Sequence, residues 1–506
     1  MATATAAEPI NIGSRRELLV DRHLVDQFEG SRLALHRPQL CDVAIRFDKP
    51  WESESPGYAT IIHDEENALY RMYYRSSLAP PSFGRKRDAP RREVTCYAES
   101  KDGIHWTRPS LGLIEFEGST DNNIMWDGVG SHNLSVMKDG KPDCPPDAIY
   151  KAVGRGRPLA NEPSPYEHGL YLLKSADGIH WKPVREKPVI TQGKFDSHNI
   201  LFWDSVLGAY RAYWRDSRKR DRSIPDGRDV RTATSADGLT WESSRMLEYE
   251  PGRRGSADSD GKAHQYYTNG IHPYYRAPHL LMGFPMRYID RGWTESTDQL
   301  PALRDRKRVS KQLRRLGTAL TDTMFIVSRD GTRFHVWPEA FVRPGIQRLG
   351  NWFYGDAGIA LGFTETKSSF HEGAPNELSF YVKENGRIEE PGQLRRYTLR
   401  LDGFASLNAS LKGGTAVTKP LVFEGDRLEI NFSTSAGGSL RVEIQDVDGN
   451  AEPSFAMSDC NLLYGDQLDR VVSWKTGTNV TRLAGKSVRL KFELKDADLY
   501  SFRFIK

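Results

Sequence analysis

Long apolar runs and an excess of one charge are both missing from this sequence of 506 residues. No stretch approaches the roughly 18 consecutive apolar residues of a membrane-spanning helix, so we expect no membrane partner. The 71 basic and 67 acidic residues are spread along the chain and give a net charge of +4. A nucleic-acid partner selects for one basic face, so we do not expect one. The longest basic cluster, Arg304 to Arg315, is typical of a solvated helix or loop.

Cysteine is also scarce, with four residues and no CxxC pair: Cys41, Cys96, Cys144 and Cys460. This spacing excludes a zinc knuckle and a dense disulfide framework, while a single disulfide among the first three stays open. The turn DVDGN at Asp446 to Asn450 lacks the glutamate that completes a calcium loop, which favours a plain hairpin. We therefore expect no metal site and no cofactor, with a structural calcium ion as an open alternative.

The N-terminal segment MATATAAEPINIG has neither the basic nor the apolar region of a signal peptide. Its ATAAEP stretch resembles the small-residue remnant around a signal-peptidase site. We therefore expect a secreted or periplasmic protein from which the signal has been removed. The oligomeric state is not indicated by the sequence.

Internal repeats indicate the fold. SKDGIHW, SADGIHW and SADGLTW begin at Ser100, Ser175 and Ser235, and SRDGTRF begins at Ser328. Each copy follows a short β-type stretch, and Asp-Gly is favoured in tight hairpin turns. Ser-His-Asn recurs before apolar strands, in SHNLSVMKD and SHNILFWDS, and YRMYYRSS resembles YRAYWRDS.

These repeats predict an all-β chain with a five-bladed β-propeller over residues 46–401, in which the fifth blade lacks the Asp-Gly signature. Residues 1–45 would form an N-terminal segment that wraps onto the propeller. From residue 402 the alternation of apolar and polar residues between glycine-rich turns predicts a β-sandwich over 402–506.

In a propeller the inner strands start near one central channel, so polar residues at those starts converge on one pocket. Hydrolysis of a glycosidic bond needs two carboxyl groups, one protonated and one ionised. Glu52 or Glu54 opposite Asp196 is the catalytic pair that we predict, with Asp356 in reserve. Acids at such positions also cap turns, and this is the alternative for each of them.

Hydroxyl-binding groups and arginines at the same strands predict a carbohydrate partner. The arginines would favour carboxylated or sulfated sugars if they point inward. The expected substrate-binding residues are Trp51, Arg75, His132, Asn133, His198, Asn199, Arg215, Asn269, His272 and Arg287.

The pattern resembles the five-bladed furanosidase-like glycoside hydrolases of families 32, 43 and 68. SKDGIHW is similar to their Ser-x-Asp-x-x-x-Trp hairpin, and KFDSHNILFWD resembles their Arg-Asp-Pro segment. The resemblance implies that Asp196 stabilises the transition state and that Glu54 or Glu52 is the nucleophile or base. The chain departs from the pattern because it has no Asn-Asp-Pro-Asn and because Ser197 replaces the proline. No glutamate stands at the expected general-acid position, where HQYYTNGIHPYYRAPH offers Tyr267, Asn269 and His272.

We therefore expect an exo-acting, furanosidase-like glycoside hydrolase that acts on a polysaccharide or oligosaccharide through paired carboxylates. The first alternative is a glycan-binding propeller without catalysis, which the missing fourth-blade acid favours. The second is a lyase that uses His198 or His272 as a base on a uronic acid.

Overall fold

The computed structural model describes residues 8–52, 57–78, 93–156, 166–218, 227–250, 256–257, 263–368 and 372–506. Within these ranges the chain is mostly β-strand, and its helices are short. The α-helices span Glu295–Asp298, Leu303–Ser310 and Arg315–Thr318, and the 3-10 turns span Glu65–Asn67, Pro146–Ala148 and Thr481–Leu483. No described helix has the length and apolar character needed to cross a bilayer.

The chain divides into two compact units. The larger comprises residues 38–274 and 278–398, and the smaller comprises residues up to 37, 275–277 and 399–506.

Three four-stranded antiparallel sheets follow one another in the first part of the larger unit. We name them sheets 1, 2 and 3, with strands given in spatial order, which here is also chain order. Sheet 1 contains Gly57–Asp64, Leu69–Ser77, Glu93–Ser100 and Ile124–Trp126. Sheet 2 contains His132–Lys138, Tyr150–Gly156, Gly169–Ser175 and Lys182–Pro183. Sheet 3 contains Ile200–Asp204, Ala209–Arg218, Gly227–Ser235 and Arg245–Met246.

The next sheet, sheet 4, has five strands, and its edge strand Glu248–Glu250 pairs in parallel with Arg333–Val336. Its order is Glu248–Glu250, Arg333–Val336, Ile326–Ser328, Ala277–Gly283 and His272–Tyr274. A further four-stranded sheet is interleaved with sheet 4 along the chain and contains Ser256–Ala257, Ala263–Tyr266, Met286–Asp290 and Ala319–Thr323.

The last sheet of the larger unit, sheet 5, is completed by a strand from the other end of the chain. Thr364–Thr366, Glu377–Glu384 and Gln393–Arg400 are joined by Gln39–Arg46, which pairs antiparallel with Gln393–Arg400. This pairing covers the edge of the sheet, and an exposed edge would offer unpaired N–H and C=O groups to other chains.

The Ser-x-Asp-Gly repeats form one hydrogen-bonded turn four times. In each copy the serine hydroxyl accepts the glycine N–H at 2.9 Å. The aspartate carboxylate accepts the two backbone N–H groups that follow the glycine. The glycine itself has a positive φ of 72° to 79°, a conformation that glycine adopts at little cost. The shared residues of the repeat are therefore the residues that make the turn.

Three of these turns contact a tyrosine of a neighbouring sheet. The hydroxyls of Tyr381 in sheet 5 and Tyr213 in sheet 3 donate to the turn carbonyls of Gly103 in sheet 1 and Gly331 in sheet 4. Tyr73 of sheet 1 packs edge-on against the tryptophan of the sheet 2 turn, with ring centroids 6.4 Å apart. Sheet 1 is thus packed against sheet 5 as well as against sheet 2.

The smaller unit is built around one sheet with a core of its own. Its strands are Glu17–Leu18, Val25–Glu29, Ser31–Leu35, Ala405–Ala409, Gly414–Thr418, Arg427–Gln445, Asp466–Val471 and Arg489–Ile505. A short parallel pair joins Ile10–Gly13 to Leu421–Phe423. The DVDGN segment is a turn in which Asp446 accepts the N–H groups of Asp448 and Asn450.

One expectation from the sequence needs correction, and one alternative that the sequence leaves open is settled. The basic cluster at 304–315 is not simply solvated, because Arg306 is fully buried and lies 4.1 Å from the centre of the Phe353 ring. Its guanidinium donates to the carbonyls of Gly317 and Trp352 at 2.8 and 2.7 Å, which compensates for its loss of water. All four cysteines, each within the described ranges, are free thiols, so no disulfide forms among the first three.

The turn packing gives a stability prediction. A Cβ at Gly178 would stand 2.7 Å from the Tyr73 hydroxyl, whereas a Cβ at Gly208 meets open space. Both glycines have positive φ, so Gly208→Ala is a matched control for backbone strain alone. We expect Gly178→Ala to lower the free energy of unfolding by about 1–3 kcal/mol more than Gly208→Ala, because only the first must displace a buried neighbour. Equal losses in urea unfolding would show that the turn does not depend on its contact with sheet 1.

Candidate functional site

Buried amide and hydroxyl side chains form hydrogen bonds between three segments, which lie at the first strands of sheets 2 and 3 and just before the strand His272–Tyr274. Asn133 Nδ2 donates to the carbonyl of Ser197 at 3.1 Å, and Asn269 Nδ2 donates to that of His198 at 3.3 Å. The Ser197 hydroxyl donates to the carbonyl of Tyr267 at 2.6 Å. These bonds bring residues from sheets 2 and 3 and from the segment before sheet 4 to one place, although they are distant in sequence.

Asp196, just before sheet 3, presents its carboxylate at this place. Oδ1 lies 3.1 Å from Nε2 of His132, and Oδ2 lies 3.2 Å from Nη2 of Arg215. The side chain is 51% exposed, whereas His132 and Arg215 are buried. Burial alone would raise the pKa of Asp196, but the hydrogen bond from His132 and the charge of Arg215 hold it well below its usual range. The carboxylate is therefore ionised at every working pH.

His132 is held between two carboxylates. Its Nδ1 lies 2.5 Å from Oε2 of Glu93, which is buried at the start of its strand in sheet 1. With Nε2 on Asp196, both ring nitrogens are occupied, so the imidazole has one orientation. His132 is a positioning residue for Asp196, and Glu93 is a positioning residue for His132.

A pocket opens beside these residues. Its polar and aromatic lining comes from several segments of the chain and consists of Phe47, Tyr58, Arg75, His198, Tyr267, Thr268, Tyr354, Lys383 and Arg387. Asp196 is not part of that lining. Arg215 connects the two, because it contacts Asp196 and its guanidinium lies 5.3 Å from the centre of the Tyr267 ring.

Tyr267 is the lining residue with the most unusual electrostatic surroundings. Burial acts to raise the pKa of its phenol, but a hydrogen bond from Tyr354 and the charges of Arg215 and Arg228 outweigh it, and the pKa is lowered. The Arg228 guanidinium lies 4.9 Å from the ring centre. In the same pair the pKa of Tyr354 is raised, first by burial and then by Tyr267.

Arg75 and His198 also line the pocket, as the sequence predicts for substrate-binding groups. Arg75 Nη1 donates to Oδ1 of Asn133 at 2.6 Å, and its guanidinium lies 4.8 Å from the centre of the Tyr58 ring. His198 Nε2 lies 3.3 Å from the hydroxyl of Thr60. Burial lowers the pKa of His198 to about 3, so its imidazole is neutral.

Glu52 is not at the pocket. Its carboxylate is fully buried and bonds Arg108 at 2.8 and 3.1 Å, the backbone N–H of Lys49 at 3.0 Å and the Tyr74 hydroxyl. A carboxylate whose oxygens are bonded and have no access to solvent is not placed to act on a substrate. Glu54, the other predicted partner of Asp196, lies outside the described residues.

Asp356 is buried too, and it caps the backbone. Its Oδ1 accepts the N–H of Gly386 at 2.9 Å, and its Oδ2 accepts the N–H of Phe353 at 3.2 Å. Burial raises its pKa to about 7. The side chain thus has the turn-capping role that is the ordinary alternative for an acid in this position.

The remaining predicted residues have structural contacts. Trp51 Nε1 donates to Asn123 at 2.6 Å, and the fully buried Asn199 bonds the carbonyl of Phe195 at 2.8 Å. The ring of His272 packs 4.5 Å from that of Phe363. Its Nδ1 lies 3.1 Å from the carbonyl of Gly270, and burial lowers its pKa to about 4.

Arg287 points away from the pocket. It forms a two-pronged ion pair with Asp322, with contacts of 2.8 and 2.5 Å. Both residues line a different groove, so Arg287 is not placed to bind the same ligand as Arg75 and Arg215.

Sequence reasoning did not select Glu93, Arg228, Lys383 or Arg387. Glu93 begins a strand that carries no repeat motif at its start, and Lys383 and Arg387 flank the end of a strand in the sheet without the Asp-Gly signature. Nothing local in the sequence separates them from surface charges. Within the described ranges no group of three or more His, Cys, Asp or Glu side chains is placed to hold a metal ion.

Asp356 gives a pH prediction. Its raised pKa means that the folded protein keeps a proton that the unfolded chain releases between about pH 4 and 7. The stability that this proton contributes is present at low pH and is lost as the pH rises through that interval. Asp356→Asn removes the titrating group, so its free energy of unfolding should decline less than that of the wild type from about pH 5 to 8. Asp298→Asn, at an exposed site, is the control. A pH-independent difference between wild type and Asp356→Asn in urea unfolding would contradict the assignment.

No family model and no curated protein matches this chain. Among solved structures it is similar to a fructofuranosidase from Schwanniomyces occidentalis complexed with fructosylnystose, at 12% identity and a TM-score of 0.38, over 91% of this chain and 96% of that one. It is similar to a β-1,2-mannobiose phosphorylase from Listeria innocua, at 13% identity and a TM-score of 0.41, over 76% and 96%. A family 43 arabinoxylan arabinofuranohydrolase from Bacillus subtilis gives 12% identity and a TM-score of 0.29, over 90% and 96%. The neighbours are glycoside hydrolases and a glycoside phosphorylase, and TM-scores below 0.5 do not assign this chain to a family.

Proposed function

We propose that this chain cleaves glycosidic bonds in a carbohydrate, with Asp196 as its ionised carboxylate and Tyr267 as its proton donor. One observation carries the proposal: the Arg215 guanidinium contacts both groups, 3.2 Å from the Asp196 carboxylate and 5.3 Å from the centre of the Tyr267 ring. Glycosidic hydrolysis needs one group that gives a proton to the leaving oxygen and one that carries negative charge beside the reacting carbon.

The two roles follow from the electrostatics. Because the pKa of Asp196 is held low, its carboxylate is a weak base and acts by its charge, which stabilises the positive charge that develops on the sugar ring. This agrees with the role that the sequence resemblance implies for Asp196. Because the pKa of Tyr267 is lowered, its phenol gives up a proton more readily than an ordinary tyrosine. Arg215, Arg228 and Tyr354 stabilise the phenolate that is left, and this phenolate takes up a proton from the water that adds to the sugar carbon.

The proposal includes the architecture. We infer that sheets 1 to 5 are the blades of a five-bladed propeller, supported by the contacts of three Ser-Asp-Gly turns with a neighbouring sheet, including the contact of sheet 1 with sheet 5. The pocket would then lie at the mouth of the central channel. The smaller unit would be the β-sandwich, and export from the cell would bring the enzyme to its polysaccharide.

A second candidate is β-elimination from a uronic acid, which the neutral imidazole of His198 in the pocket lining favours. An unprotonated imidazole can accept the proton next to the carboxylate, although the burial that lowers its pKa also makes it a weak base, while Tyr267 protonates the leaving oxygen. The product of elimination carries a new double bond and absorbs ultraviolet light, whereas the hydrolysis product does not.

The test is a screen of plant and algal polysaccharides for reducing-end release and for ultraviolet absorbance, followed by variants on the best substrate. We expect Asp196→Asn and Tyr267→Phe each to lower kcat/KM by about 100-fold or more, because each removes a group that acts in the transition state. Thermal unfolding should stay close to that of the wild type.

Asp298→Asn and Tyr464→Phe change the same atoms at exposed sites and should leave kcat/KM unchanged. Full activity in Asp196→Asn would remove this residue from the mechanism. If the wild type binds a glycan but releases neither reducing ends nor an unsaturated product, the propeller is a binding module and the proposed function fails.

A further inference from the structure

The pocket has a strongly one-sided charge. Its lining contains three cationic side chains, Arg75, Lys383 and Arg387, and no carboxylate among the residues that the structure describes. Arg215 and Arg228 lie 5.3 and 4.9 Å from the centre of the Tyr267 ring. Two acids lie near these cations: the half-exposed Asp196 pairs with Arg215, and the buried Asp356 interacts electrostatically with Lys383.

Several arginines elsewhere in the larger unit form ion pairs with an acid. Arg71 pairs with Asp64 and Arg211 with Asp204, at 2.8 and 3.0 Å. The same pattern holds for Arg231 with Asp216, Arg287 with Asp322 and Arg396 with Glu377. The pocket arginines Arg75 and Arg387 have no such ion pair among the residues that the structure describes.

Arg75 and Arg387 have aromatic and amide contacts in place of ion pairs. Arg387 lies 5.4 Å from the centre of the Tyr354 ring, and Arg75 lies 4.8 Å from that of Tyr58. Arg75 Nη1 donates a hydrogen bond to Asn133, while Nε of the same guanidinium is buried and has no hydrogen-bond partner in the described structure. Stacking of a guanidinium on an aromatic face orients it and leaves its N–H edge free for an anion.

We propose that the pocket binds a sugar residue that carries an oxyanion, either a carboxylate or a sulfate ester, and that Arg75 and Arg387 bind that anion. The inference rests on the proposed function, because it names the substrate class of the same site. A fork of N–H donors matches both oxyanions, and charge-assisted hydrogen bonds of this kind are stronger than those to a neutral hydroxyl. Attraction to the positively charged lining would offset the free energy needed to remove the anion from water, whereas a neutral sugar gains no such attraction.

Binding is measured on the full-length chain carrying Asp196→Asn, which separates binding from turnover. Titration calorimetry measures the binding of three probes: D-galacturonic acid, D-galactose 6-sulfate and neutral D-galactose. We expect at least one of the two anionic sugars to bind about 10-fold or more tightly than galactose, in line with charged hydrogen bonds, and to bind more weakly as salt increases. Comparison of the two anions identifies which oxyanion the site takes.

In the Asp196→Asn variant, a second change of Arg387→Gln should lower the affinity for the preferred anionic sugar by about 10-fold. Arg387→Lys in its place should retain part of that affinity. Arg343→Gln, at an exposed arginine outside the pocket lining, is the matched control and should have no effect. Thermal unfolding of each variant identifies any loss of fold, and Arg75→Lys is the second variant if Arg387→Gln is unstable.

Equal affinity for anionic and neutral sugars, or no binding of either anion, overturns the inference. Cleavage of neutral glycans by the wild type as fast as that of anionic glycans overturns it as well and leaves the proposed function in place. Tight, salt-sensitive binding of an anionic sugar without any turnover in the wild type would support the anion-binding site and would contradict the proposed catalysis.

Discussion

The larger unit depends on a repeated contact in which the Ser-Asp-Gly turn of one sheet packs against an aromatic residue in the second strand of the sheet before it. Tyr73 and Tyr213 occupy the same place in the related segments YRMYYR and YRAYWR, and Tyr381 has the corresponding role in sheet 5. The glycine is needed because its positive φ brings the turn backbone close to the ring. Pairing of Gln39–Arg46 with Gln393–Arg400 then completes the last sheet.

That arrangement explains how a site forms from residues far apart in the chain. The strand starts are joined by Asn133, Ser197 and Asn269, whose side chains bond the backbone of a neighbouring strand. Because these bonds are buried, the groups between them are held in fixed positions. Asp196 and Arg215 are therefore oriented by the framework before any ligand arrives, as electrostatic catalysis requires.

Charge decides the character of the site more than shape does. The related strands carry two arginines each, and the first of them, Arg71 or Arg211, pairs with an aspartate. The second, Arg75 or Arg215, lies four residues further along and reaches the pocket or Asp196. The same short motif thus supplies one arginine to the framework and one to the site.

Several site residues could be predicted because the repeats mark them. Asp196, His132, Asn133 and His198 stand next to Ser-His-Asn segments, and the repeat shows that they begin inner strands. Glu52 and Asp356 were selected by the same reasoning, yet their oxygens are used by Arg108 and by backbone N–H groups. A sequence does not reveal which acid already has a partner, since that partner comes from a distant segment.

The amino-acid sequence by itself determined the all-β character, the four hydrogen-bonded turns and the strand starts, because these depend on neighbouring residues and on alternation along a strand. Only the tertiary structure decided that Glu93 supports His132, that Arg287 faces another groove and that Lys383 and Arg387 meet Arg75 at one pocket. Such contacts depend on how sheets pack, and the free energy of a charged group depends on every charge and dipole around it.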